Sequence, residues 1–169
     1  HINGLRALGA EIIIERDNLE IWLEDLTWHP GREYIPRQVN DDWSPRRALY
    51  RTYRYRLECM DGWVEPDLVQ FEKLCSVFEG EHEWDNFCRR ETNRSTTRVV
   101  ESCKPWINSD RIIGFEIVGE AFIWNQVRRI ANAIFAVTTN YASIDKVIEA
   151  RDNPQTEIDL GLAEPDWLI

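Results

Sequence analysis

The order of periodic segments predicts an α+β domain with a mostly antiparallel sheet and helices packed on one face. Three observations carry that expectation. β-Favouring residues alternate through residues 48–59, two extended runs at 96–107 and 111–120 flank a short turn, and apolar residues recur at helical spacing in 67–78 and 121–139. A chain of 169 residues with 43% hydrophobic content can bury one core, so residues 1–169 are expected to form a single domain.

The opening INGLRALG reads as a short helix ended by Gly9. Residues 11–26 read as two short strands around Asp17 and Asn18, although 19–26 is equally compatible with a helix. Residues 27–43, broken by Pro30, Gly31 and Pro36, read as a long surface loop. In the strand at 48–59, Leu49, Arg51, Tyr53, Tyr55 and Leu57 point one way, and Tyr50, Thr52, Arg54, Arg56 and Glu58 the other. Pro66 and Gly80 frame a helix over 67–78 whose stripe is Leu68, Phe71, Leu74, Cys75 and Phe78. The stretch FEGEHEWDNFCRRE reads as a compact turn in which His82, alone at ligand spacing, is structural. A hairpin through Asn108, Ser109 and Asp110 follows. The chain then breaks at Gly119 into a helix carrying Phe122, Val127, Ile130, Ala131, Ile134 and Phe135, with a shorter helix over 143–150 and an irregular tail.

The formal net charge of −10 argues against a uniformly basic nucleic-acid binder. The distribution matters more than the sum. Arg46, Arg47, Arg51, Arg54 and Arg56 fall within RRALYRTYRYR, whereas the acids concentrate elsewhere, so a local basic stripe can still hold a polyanion. Cys59, Cys75, Cys88 and Cys103 contain no C-x-x-C pair, which fits free thiols in a reducing cytoplasm better than zinc or redox chemistry. No run is long and apolar enough for a membrane span, and no partner membrane is expected. Phosphate-loop, nucleophile-elbow and H-E-x-x-H patterns are absent.

The chemistry-bearing candidates lie at two places. Asn125, Arg128, Arg129 and Asn132 recur at helical spacing and share a face that can neutralise a carboxylate or phosphate, or serve simply as a solvated surface. Arg51 and Tyr53 share a strand face where a buried guanidinium needs a partner from another segment or a substrate, or where both tips simply reach solvent.

Five segments, in order, resemble the TruA-type tRNA pseudouridine synthases, most closely their archaeal and eukaryotic branches. WSPRRALYRTYRY resembles that family's aromatic-x-P-R…A…R-x-Y-x-Y segment, and FEGEHEWDNFCR its F-x-G-x-H-D-F…F-C turn, with Glu83 and Trp84 in place of Asp and Phe. TTRVV, AFIWNQVRRI and GLAEPDWLI resemble its T-x-R-x-I strand start, its arginine-bearing signature and its G-x-A-P-P-x-x-L tail. The match covers residues 43–169; residues 1–42 have no clear register.

The resemblance implies a role for each matched residue. Tyr53 corresponds to the tyrosine that packs on the target uracil, and Arg128 to the arginine that pairs with the catalytic aspartate. Arg46, Arg51, Arg54, Arg129 and Asn125 become candidates for RNA contact. It implies isomerisation of uridine to pseudouridine in the tRNA anticodon arm, without a cofactor, by a cytoplasmic homodimer. The motif that carries the family's nucleophile, G-R-T-D-x-G-V, does not occur in this sequence, and Asn132 replaces a glycine usual after the arginine signature. The expectation is therefore the C-terminal catalytic-domain portion of such an enzyme, half of a pseudouridine synthase fold, inactive alone and partnered by tRNA and by the N-terminal half that carries the aspartate. Two other classes fit the same residues: a non-catalytic RNA-binding module and a protein-interaction domain.

Overall fold

The computed structural model describes residues 48–91 and 93–169. The helix, strands and loop expected over 1–43, and Arg46, lie outside the described residues. The described part is an α+β arrangement, as the order of segments predicts. A four-stranded antiparallel sheet is built from β1 (Arg51–Arg56), β2 (Gly80–Glu83), β3 (Thr97–Asn108) and β4 (Arg111–Gly119), in the order β1-β4-β3-β2. Its helices are α1 (Leu68–Ser76), α2 (Gln126–Thr138) and α3 (Ile144–Asp152).

Local chemistry sets the element ends. The Asp67 carboxylate accepts the Gln70 amide at 3.1 Å and starts α1, and the Ser143 hydroxyl does the same for Lys146 at 3.2 Å and starts α3. Ser109 and Asp110 both take positive φ, 48° and 63°, the geometry that matches a two-residue turn to strand twist. Gly114 is required by packing: a Cβ there would sit 1.8 Å from the Tyr55 carbonyl oxygen.

The core lies between one sheet face and the helices. It contains Tyr55, Leu57, Phe71, Phe78, Trp84, Phe87, Phe115, Ile117, Ile130 and Ile134. Trp84, Phe87 and Phe78 meet edge to face, 5.9 and 5.6 Å between centroids. Asn86 is buried but satisfied: its amide donates to the Ala150 and Asn153 carbonyls at 2.8 and 3.1 Å and accepts from the Ile158 amide at 3.2 Å.

Four details differ from the sequence reading. FEGEHEW is not only a turn, because Gly80–Glu83 pairs with Val100 to Thr97 as an edge strand; four residues with one side chain facing inward leave almost no periodic signal. β1 ends at Arg56 and Leu57–Cys59 closes as a 3-10 turn, which keeps Leu57 buried. A register shift between Val100 and Ser102 lets Val100 and Cys103, three apart, both face inward. The tail is irregular only until its last residues, where Arg54 and Ile169 exchange backbone hydrogen bonds at 2.9 and 2.8 Å along the free edge of β1.

Candidate active site

Gly119 does not lead directly into a helix. Residues 120–125 form a non-helical connector, and α2 begins only at Gln126, so Phe122 sits ahead of the helix rather than on it. The signature in which Phe122 shares helical spacing with Val127 misled the periodicity reading, because both side chains reach apolar surroundings from different backbones. The connector is anchored by the Gln126 side-chain carbonyl, which accepts the Ile123 amide at 2.9 Å. It ends at Asn125, whose φ of 66° is a left-handed conformation that asparagine tolerates better than most residues.

This connector gathers the candidates. Its Glu120 carbonyl accepts a hydrogen bond from Arg51 Nη1. Its Phe122 ring meets Tyr53 edge on, with centroids 5.3 Å apart and planes at 85°. Its Asn125 Oδ1 accepts from Arg128 Nη1 at 3.2 Å. Strand alternation explains why Arg51, Tyr53 and Tyr55 face the helices together: Arg51 and Tyr53 are half-buried and Tyr55 is fully buried, whereas Thr52 and Arg54 are exposed on the far face.

Arg128 is half-buried on the first turn of α2. Its Nε donates to the Ala163 carbonyl at 2.7 Å, and the Ala163 amide donates back to the Arg128 carbonyl at 3.2 Å. Both side-chain acceptors are neutral, and among the described residues no carboxylate pairs with this guanidinium. A fixed cation with uncompensated charge is an anion receptor. Tyr55 lies within its field. The Tyr55 hydroxyl donates to the Glu164 carbonyl at 2.7 Å, and burial pushes its pKa far above the ordinary phenol value despite the opposing pull of Arg128. The phenol therefore stays protonated and acts as a donor that pins the tail.

The remaining candidates separate. Arg54 is on the opposite sheet face, where it pairs with Glu116 at 2.7 Å and lies 5.4 Å from the Trp106 ring centroid. Arg129 turns away from Arg128 to pair with Asp159 at 2.9 Å, and the Asn132 amide donates to the Leu160 carbonyl at 2.6 Å. The face read as shared by Arg128, Arg129 and Asn132 is thus covered by residues 159–163 rather than by solvent. Hydrogen bonding from the Gly161 amide, and then the Arg129 guanidinium, holds the Asp159 carboxyl below its usual pKa. His82 is satisfied by the Glu79 carbonyl at 2.8 Å and packs edge on against Trp84.

Sequence reasoning missed Phe122 as a partner of Tyr53, Tyr55 as the anchor of the tail, and Ala163 as the acceptor for Arg128. The first left no periodic signal, because Phe122 lies in the short non-helical connector. The last acts through its backbone carbonyl, which any residue supplies, so no residue type could mark it.

Tyr53 on β1 touches one part of the 120–125 connector and Arg128 on α2 another, and among the described residues no carboxylate pairs with Arg128. The class of protein built on this α+β arrangement is given by the family comparison. A family model described as tRNA pseudouridine synthase matches residues 74–168, and the chain belongs to that family. Among curated relatives, the tRNA pseudouridine synthase A of Methanosarcina barkeri is 27% identical over 163 residues, 86% of this chain and 54% of that protein. The corresponding proteins of Methanobrevibacter smithii and Thermococcus kodakarensis are 30% and 36% identical, over 78% and 57% of this chain. The chain spans about half the length of the curated relatives that match most of it.

Proposed function

We propose that this chain supplies the tyrosine-and-arginine side of an active site that isomerises uridine to pseudouridine in the anticodon arm of tRNA. The observation that carries the reading is the state of Arg128: oriented by two neutral acceptors and unpaired with any carboxylate among the described residues. Such a cation holds an incoming aspartate ionised beside RNA phosphates, where repulsion would otherwise raise its pKa. The aspartate comes from the G-R-T-D-x-G-V segment, which this sequence lacks.

The uridine is flipped out of its stack and lies against Tyr53, whose ring is steadied edge on by Phe122. The aspartate initiates the reaction. The N1–C1′ bond breaks, the uracil rotates, a C5–C1′ bond forms, and the proton lost from C5 is balanced by one gained at N1. No cofactor enters this balance. Asn125 orients Arg128, and Arg51 contacts RNA backbone close to the site, whereas Arg129 and Arg54 would first have to leave the carboxylates they pair with. The working enzyme is a cytoplasmic homodimer.

The test is Arg128→Ala in the complete protein with a tRNA substrate. Turnover is expected to fall by about a hundredfold or more, the usual scale for removing one preorganised electrostatic group, with the melting temperature little changed. Near-normal turnover would remove Arg128 from the site.

A further inference from the structure

Trp124 is the large apolar side chain in the connector that the site described above does not use. Its indole is 54% exposed, between Phe122 on the Tyr53 side and Asn125 on the Arg128 side. The Arg89 guanidinium lies 4.1 Å from its ring centroid, and the Arg89 amide donates to the Trp124 carbonyl at 2.9 Å. The backbone link fixes the pair in place, so the stacking does not depend on two free side chains meeting.

Charge distinguishes Arg89 from its neighbours. Around the adjoining hollow of about 330 Å³, Arg90 pairs with Asp85 at 3.1 Å and Arg129 pairs with Asp159 at 2.9 Å. Arg89 lines the same hollow, is exposed, and its guanidinium has only the Trp124 ring as partner among the described residues. An exposed cation–π pair contributes only about 0.5–1 kcal/mol, so the indole does not neutralise the Arg89 charge as a carboxylate would. A rigid indole next to an uncommitted guanidinium does match single-stranded RNA, which offers a base face and a phosphate at adjacent positions.

We infer that Trp124 and Arg89 form a docking platform for a nucleotide flanking the modified uridine, the base stacking on the indole surface that Arg89 leaves open and the phosphate meeting the guanidinium. The inference rests on the proposed tRNA reading and adds a contact outside the reacting atoms. Its signature is therefore on binding rather than chemistry.

The experiment uses the complete protein, wild type and with Trp124→Ala, Trp124→Phe or Arg89→Ala. It measures tRNA affinity between 50 and 200 mM salt, steady-state kcat and KM, and melting temperature. Trp124→Ala is expected to weaken tRNA binding by about tenfold or more and to raise KM with kcat within a few-fold of wild type, while Trp124→Phe keeps most of the affinity. Arg89→Ala is expected to reduce the salt slope by about one phosphate contact. Wild-type affinity and salt slope in both alanine variants would overturn the platform while leaving the tRNA reading intact. Failure of the wild-type protein to bind tRNA would overturn both. If Trp124→Ala lowers the melting temperature, Arg89→Ala decides the question alone, because it removes an exposed side chain.

Discussion

At the scale of single residues, Tyr53 and Arg128 are the two positions to which the resemblance assigns a catalytic role. Strand alternation sets the face on which Tyr53 lies, the resemblance implies its role, and its half-burial against Phe122 suits a ring held firmly enough to receive a base. Tyr53→Ala in the complete protein is expected to lower kcat by about a hundredfold, and Tyr53→Phe to retain most of it, because the ring rather than the hydroxyl makes the Phe122 contact. A Phe variant as damaged as Ala would assign the work to the hydroxyl. Asp159 gives a prediction in pH. Its folded pKa is depressed, so the ionised form contributes stability above the ordinary carboxylate range, and the contribution disappears as pH falls through the folded value. Asp159→Asn should therefore destabilise the chain at pH 7, by less than about 1 kcal/mol for so exposed an ion pair. The difference from wild type should close below pH 3.8, the ordinary value from which the folded pKa is depressed, as measured by urea unfolding across the range.

At the scale of elements, the tail is what aims the arginine. Residues 159–163 lie along α2 through Asp159 on Arg129, Leu160 on Asn132 and Ala163 on Arg128. This close approach requires Gly161, which has a φ of +88° and whose Cβ would stand 2.4 Å from Asn132 Nδ2. Gly161→Ala is expected to cost about 1–3 kcal/mol in unfolding free energy through strain at that φ. It should also lower turnover more than the stability loss explains, because the Ala163 carbonyl shifts away from Arg128. Unchanged stability would show that the tail adapts. Asn132 stands where the family's usual residue is glycine, and in this chain its amide is committed to the tail.

Sequence legibility tracks this scale closely. The α1 and α2 stripes, the hairpin and β1 were readable because each repeats one period over several residues. The four-residue β2, the register shift after Val100 and the non-helical connector at 120–125 were not, since each is too short or too aperiodic to leave a pattern. Of the site, Arg51, Tyr53, Asn125 and Arg128 were nominated and are tied to one connector. Arg54 was nominated with them but faces the other way, as the alternation of β1 itself requires.

At the scale of the whole molecule, the proposed function requires a protein with a net charge of −10 to meet RNA where cations are not already neutralised. Arg54, Arg90, Arg111, Arg129 and Arg151 are each paired with a carboxylate, whereas among the described residues no carboxylate pairs with Arg128 or Arg89. On the proposed function, the chain is one side of a site whose other side brings the carboxylate. The direct measurement is tritium release from tRNA labelled at uridine C5, with this chain alone and with the G-R-T-D-x-G-V-bearing half of the enzyme added as a separate polypeptide. No release from the chain alone, with release restored by the added half, is the predicted result; release by the chain alone would place the nucleophile among its own aspartates and contradict the account.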